Sequence, residues 1–157
     1  MKPPSRSTTV VIIEEDPSVR AATEAVLARS GFRVRATGDP AEGVDYVDGD
    51  RAQVVIVGFG TGWQTLDLVR RLSGRFEPIP LPVRPRIVIA ARELDAATER
   101  FARKLGADAI LRLPVAGQDL IATVDELMRR EAVRALFEEV NARHRPGEAS
   151  RNVGLRQ

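Results

Sequence analysis

The chain has 157 residues, 43% hydrophobic and 29% charged, with a formal net charge of +2. That profile fits one globular domain of α/β or α+β type, burying roughly two-thirds of its unfolded surface, with no room for a second. There is no cysteine and one histidine, His144, which excludes a disulfide framework and thiolate chemistry and leaves little for a histidine-based triad or zinc cluster.

In chain order, residues 1–9 read as a disordered leader. Five short β-branched runs then recur, at residues 10–13, 33–36, 54–57, 87–90 and 109–111. Most are continuously apolar, as expected of strands buried on both faces of a parallel sheet. Such runs soon meet charge, so neither a transmembrane helix nor a signal-peptide core is expected, and the cytoplasm is the expected compartment.

The intervals carry helix signals. Asp16-Pro17 predicts a capped helix through Arg29, ended by Ser30-Gly31. Asp39-Pro40 starts a second, to about Val47. The third spans about Gln64 to Ser73, and the fourth spans Asp95 to Leu105 and closes at Gly106. Between them, Pro78, Pro80, Pro82 and Pro85 predict a stiff, partly polyproline-like connection. The fifth helix starts near Gln118 and carries no Gly or Pro before Pro146-Gly147, so it should run to about Arg143. Its second half must expose Val133, Leu136, Phe137 and Val140 or pack them on something else. Residues 146–157 read as a disordered tail. Five β–α units imply right-handed crossovers and a three-layer sandwich.

Over residues 9–128 this pattern resembles the receiver domain of bacterial response regulators, the chemotaxis-regulator-like family. Val-Val-Ile-Ile-Glu-Glu-Asp-Pro-Ser-Val-Arg (10–20) is similar to its first strand and acidic turn. Ser-Gly-Phe-Arg-Val (30–34) resembles the approach to its second strand, and Leu-Gly-Ala-Asp-Ala-Ile-Leu-Arg-Leu-Pro-Val (105–115) its fifth-strand signature. The resemblance implies a doubly wound, five-stranded parallel sheet of order 2-1-3-4-5, flavodoxin-like, to which the helical pattern beyond residue 128 adds a C-terminal helix extension over 129–145.

It also implies five chemical positions, and this chain departs from most of them. Glu14 and Glu15 stand where two acids help hold Mg²⁺. Gly58 stands at the phosphoacceptor aspartate, Ala90 at the hydroxyl, and Leu113, before Pro114, at the phosphate-binding lysine. Ile110 stands at the aromatic switch. Without a carboxylate at the attacking point no acyl phosphate forms, and the metal site loses a hard oxygen ligand. Glu14 and Glu15 therefore read as a retained acidic turn complementing the next helix rather than a residual cation site. Leu113-Pro114 is expected to keep the family's cis peptide.

Other motifs are weaker. Gly58-Phe59-Gly60-Thr61-Gly62-Trp63 has the setting of a phosphate-cradling loop but not the Gly-x-Gly-x-x-Gly spacing; Trp63 could cap the pocket or anchor a partner. Lys2 and Lys104 are the only lysines, leaving 22 of the 24 basic residues as Arg, which GC-rich codon usage explains as readily as recognition. Arg70-Arg71, Arg129-Arg130 and Arg143-His144-Arg145 are candidate pieces of an anion site, yet Glu131, Glu138 and Glu139 interleave with the helical arginines as on a solvated face.

The expectation is therefore a stand-alone, atypical pseudo-receiver, non-enzymatic and without cofactor or metal. It would serve bacterial two-component-type signalling as a phosphorylation-independent protein-interaction module. The resemblance places partner contacts on the fourth helix, fifth strand and fifth helix: Arg100, Arg103, Lys104, Ile110 and Arg112. The stripe Val133, Leu136, Phe137 and Val140 suits a homodimer or a partner helix. Neither DNA nor membrane is expected as a partner. The alternative is an effector binding a nucleotide second messenger, such as a cyclic dinucleotide, through the arginine clusters or the Gly-rich loop.

Overall fold

A computed structural model describes residues 6–60, 62–75 and 79–144. By its internal contacts the chain divides into two units, Met1–Val124 and Asp125–Gln157. In the first, strands β1 (Thr9–Ile13), β2 (Arg33–Thr37), β3 (Val54–Gly58), β4 (Arg86–Ala91) and β5 (Ala109–Arg112) alternate with helices α1 (Pro17–Arg29), α2 (Pro40–Asp50), α3 (Trp63–Leu72) and α4 (Ala96–Leu105). Helix α5 (Gly117–Arg143) begins in the first unit and supplies the described helix of the second. All pairings are parallel and the sheet order is β2-β1-β3-β4-β5. This is the flavodoxin-like architecture that the family resemblance implied.

The β-branched runs supply both faces of that sheet. Val11, Ile13, Val55, Val57, Ile87 and Ile89 share one face and join a single buried cluster with Val47 of α2, Leu66, Val69 and Leu72 of α3, and Ala102 of α4. Side chains alternate along a strand, so Val10, Ile12, Val54, Ile56 and Val88 point to the other face. They too are buried, as are Leu27 of α1 and Leu120 and Val124 of α5. Helices start where caps were legible: the Asp16 carboxylate accepts from the Ser18 and Val19 amides at 2.9 and 3.3 Å, and that of Asp39 from Ala41 at 3.2 Å. Asp95 caps α4 through the Thr98 amide at 2.7 Å.

Two local expectations need adjustment, at the leader and at the end of α2. The leader expected over 1–9 is ordered from Arg6: its amide donates to the Gly31 carbonyl at 3.0 Å, and Thr9 already belongs to β1. Backbone bonds to the β2 side, which composition does not reveal, hold this stretch; residues 1–5 lie outside the described residues. Helix α2 runs past Val47 to Asp50 because nothing in Asp48-Gly49-Asp50 forbids continuation, and it closes with Arg51 in the left-handed region at φ 51°. The proline-rich connection is fastened by Arg84, whose guanidinium donates to the carbonyls of Leu72 at 3.1 Å and Ile79 at 2.5 Å. Pro78 of that connection and the tail expected at 146–157 lie outside the described residues.

Candidate functional site

In an open parallel sheet, ligands bind beyond the carboxyl ends of the strands where the connection order reverses. Here that crevice lies between β1 and β3. It is a small cavity of about 50 Å³, lined by Ile13, Glu14, Glu15, Gly38, Gly58 and Gln64 among others. Its shape follows from two glycines. A Cβ built on Gly58 would stand 1.3 Å from Glu14 Oε2 and 2.5 Å from its Cδ, so the Glu14 carboxylate occupies the space a side chain at position 58 would need. Gly58 does not adopt a positive φ; glycine here leaves room that the Glu14 carboxylate takes up, rather than serving a special conformation. A Cβ on Gly38 would likewise stand 2.6 Å from Arg20 Nη1. Arg20 lies over that glycine and donates to the Glu14 carbonyl at 2.8 Å.

The Glu14 backbone is fixed from both sides, since its amide also donates to the Thr37 carbonyl at 2.9 Å. Buried Thr65 of α3 donates to the Gly58 carbonyl at 3.2 Å and so ties the end of β3 to the helix beyond it. Half-burial pushes the Glu14 carboxyl above its ordinary pKa of 4.5; a backbone hydrogen bond at Asp16 opposes this, the charges of Asp16 and Glu15 add to it, and Arg20 offsets part of it. Asp16 caps α1 with its carboxylate, while the Glu14 carboxylate faces Gly58 in the crevice and also takes a backbone hydrogen bond at Asp16.

The remaining chemical positions lie alongside. Ala90 is the register partner of Gly58 across β3 and β4, is buried, and accepts the Phe59 amide at 2.9 Å. Leu113 lines a different cavity of about 160 Å³ with Val19, Val26, Pro114 and Leu120, and the Leu113-Pro114 peptide is cis, as expected. Ile110 is half-buried against the main core cluster. Among the described residues the crevice is lined by the carboxylates of Glu14 and Glu15, by Gln64 and Thr65, and by backbone and apolar groups, with no cationic side chain. Among the described residues no group of three or more His, Asp or Glu is placed to hold a metal ion.

No family model matches the chain. The curated proteins it resembles include the response regulator MprA of Mycobacterium tuberculosis, 28% identical over 126 residues, covering 79% of this chain and 52% of that protein. MprA of Mycobacterium avium is 27% identical over 123 residues, covering 77% and 51%. The chain therefore spans about half the length of the curated relatives it matches. A solved response regulator from Thermotoga maritima superposes with a TM-score of 0.69 at 19% identity, covering 79% of this chain and 99% of that one. A CheY-like receiver domain from Methanospirillum hungatei gives 0.68 at 16%, covering 80% and 97%. HP1043, an orphan response regulator of H. pylori, gives 0.66 at 20%, covering 79% and 98%. The fold is that of response-regulator receiver domains.

Of the expected contact residues of α4 and β5, the structure brings Arg103 and Arg112 together. Arg100, Arg103, Lys104 and Arg112 are exposed, and Glu99 links two of them, accepting from Arg112 at 3.1 Å and from Arg103 at 3.5 Å. Arg112 also donates to the Leu94 carbonyl at 3.2 Å, so its side chain is held flat between strand and helix. Trp63 does not cap the crevice. It is 77% exposed and meets Phe101 of α4 edge-to-face at 6.4 Å, a pairing invisible in sequence because the two rings come from different helices.

Several of the anion-site candidates are engaged by carboxylates of their own helices. A Cβ on Gly60 would stand 3.0 Å from Glu15 Oε2, so a carboxylate leans on the Gly-rich loop where a phosphate would need bare amides. Arg70 pairs with Asp67 at 2.6 Å and Arg143 with Glu139 at 2.7 Å, each within its own helix. Arg129 and Arg130 both pair with Glu126, and Arg145 and Thr61 lie outside the described residues. Val133, Leu136, Phe137 and Val140 are all exposed, as the helical period required. No helix among the described residues is long and apolar enough to cross a membrane.

Proposed function

We propose that this chain is an atypical, pseudo-receiver member of bacterial two-component-type signalling: a non-catalytic protein-interaction module that works without phosphorylation, in the cytoplasm. The observation that carries the reading is the Glu14 carboxylate, lying 1.3 Å from where a Cβ on Gly58 would be. In response regulators that position bears the accepting aspartate; here it has no side chain, and an anionic group of the chain itself fills the space. A phosphoryl group arriving there meets a carboxylate, with Ala90 and Leu113 in place of the hydroxyl and ammonium that would stabilise its charge. The similarity to MprA and to solved response regulators supports a place in the same kind of signalling.

With the crevice filled, the output is surface shape and charge. The basic α4–β5 face, Arg100, Arg103, Lys104 and Arg112 with Ile110 at its edge, is the contact surface for a signalling protein. No nucleotide, DNA or metal enters this account. Incubation with acetyl phosphate and Mg²⁺, followed by intact-mass analysis, tests it: the expected result is no phosphoryl adduct on the parent chain. An adduct that disappears in Glu14→Gln would overturn the reading, because Glu14 would then be a substitute acceptor rather than a plug.

A further inference from the structure

We infer that the apolar cavity beside the Leu113-Pro114 turn binds a small monocarboxylate whose apolar body is the size of one aromatic ring. The cavity, about 160 Å³, is walled by Val19 and Val26 of α1, by Leu113 and Pro114 after β5, and by Leu120 of α5. Arg92, which follows β4, is the one charged residue in its lining. The Leu113 amide donates to the Ala91 carbonyl at 2.8 Å, which pins the end of β5 to the residue before Arg92. Gly117 lets the first turn of α5 come close to α1, since a Cβ there would stand 3.3 Å from Val26 Cγ1. The cavity therefore lies at the carboxyl ends of β4 and β5, the edge at which open parallel sheets take ligands. It shares no lining residue with the crevice at Gly58, so it stands or falls apart from the functional reading.

The lining selects the occupant. Thr23 carries its one hydroxyl, and that group already donates to the Val19 carbonyl of its own helix at 2.7 Å. Arg92 is exposed, and its guanidinium has no hydrogen-bond or ion-pair partner among the described residues. No carboxylate lines the cavity to compete for it. An apolar wall with a single uncommitted cation suits a guest that is apolar everywhere except at one anionic end. A nucleotide would bring several charges to one cation and bury polar base edges without partners. Size narrows the class further. An aliphatic cavity of about 150 Å³ holds one benzene, so this one admits a single ring with its carboxylate turned toward Arg92.

Phenylacetate is the probe and 2-phenylethanol its uncharged counterpart, each titrated into the full chain and followed by backbone amide chemical shifts. Both should give saturable shifts centred on residues 19–26, 92 and 113–120. The acid should bind more tightly by about fivefold, the upper end for an exposed ion pair. Arg92→Gln should remove that advantage and leave 2-phenylethanol unaffected, which a general loss of structure would not do. Ala22→Leu places bulk in the cavity from an exposed position on α1 and should abolish binding of both, with circular dichroism confirming the fold. Shifts that stay linear to the solubility limit, or that saturate elsewhere on the chain, would overturn the inference. So would equal binding of acid and alcohol, or an Arg92→Gln chain that still prefers the acid. None of these outcomes bears on the phosphodonor test.

Discussion

Two regions of this molecule answer the same physical problem, an unfilled surface, in opposite ways. At the end of β3 a missing side chain leaves a concave gap, and the chain fills it from within: Glu14 reaches across from the β1 turn and Gly58 makes room for it. In the second half of α5 an apolar ridge stands convex to solvent, and nothing in the described chain covers Val133, Leu136, Phe137 or Val140. A concave gap can be closed by one flexible side chain whose backbone is already fixed. A convex stripe needs another backbone. The difference teaches where partners are to be sought: on the α5 ridge and the basic α4–β5 face, not in the crevice.

The sharpest way to break that contrast uses one helix and two truncations. Leu120 of α5 is 3% exposed and Phe137 is 66% exposed. Leu120→Ala should cost about 2–5 kcal/mol by leaving a cavity in a packed core. Phe137→Ala, measured on dilute monomer, should stay within about 0.5 kcal/mol of the parent. Urea unfolding at low concentration measures both. Equal losses would mean that Phe137 is already buried in the single chain, and the contrast would collapse.

Glycine substitutions come next in size and separate rigid from yielding neighbours. A Cβ on Gly43 of α2 would stand 2.4 Å from Ile13 Cγ1 and 2.5 Å from Cδ1, and Ile13 is itself locked in the core. Gly43→Ala should therefore cost about 1–3 kcal/mol from overpacking. Gly58→Ala meets only the tip of Glu14, which can swing out. Losing that rotamer costs on the order of 1 kcal/mol, and relieving a strand glycine returns about 0.5–1 kcal/mol, so the net change should be small. A heavy loss at Gly58 would show that Glu14 is not free to leave.

The sheet was legible because four of the five β-branched runs have a capping Asp-Pro or a glycine close by, so that strand and helix signals agree there; the run 87–90 has Pro85 before it and the capping Asp95 after it. Residues 10–13 and 54–57 could hardly be anything but adjacent buried strands once the family resemblance fixed the order. The deletion of chemistry was also legible, position by position, at Gly58, Ala90 and Leu113. What replaces it was not. That Glu14 folds over Gly58, and Arg20 over Gly38, depends on the turn after β1 lying between its two neighbours and on single rotamers. Neither leaves any periodic trace in sequence. The signal that could have pointed there is the pairing of a small residue on one strand end with a long acid on the next. The place of Trp63 was illegible for a related reason: Phe101, which it meets, belongs to the following helix.

The smallest expected effect tests the filled crevice most directly. Burial raises the Glu14 pKa above 4.5 in the folded chain, so the folded state holds that proton more tightly than the unfolded one. Well below 4.5 the group is neutral in both states and imposes no penalty. As pH rises from there through the raised folded value, the unfolded chain ionises freely while the folded chain must place a charge in the half-buried slot, and stability falls. Glu14→Gln keeps the shape and removes the charge. Its stability relative to the parent should be level in acid, rise through that window and hold a plateau at neutral pH, as read from denaturant midpoints in a pH series. Repeating the series on Gly58→Ala, with and without Glu14→Gln, completes the argument. The introduced methyl group expels Glu14 into solvent, so the pH-dependent difference should shrink toward nothing. If it persists undiminished, Glu14 owes its shifted titration to some neighbour other than the space above Gly58, and the crevice is not filled in the way that sets it apart from the uncovered ridge on α5.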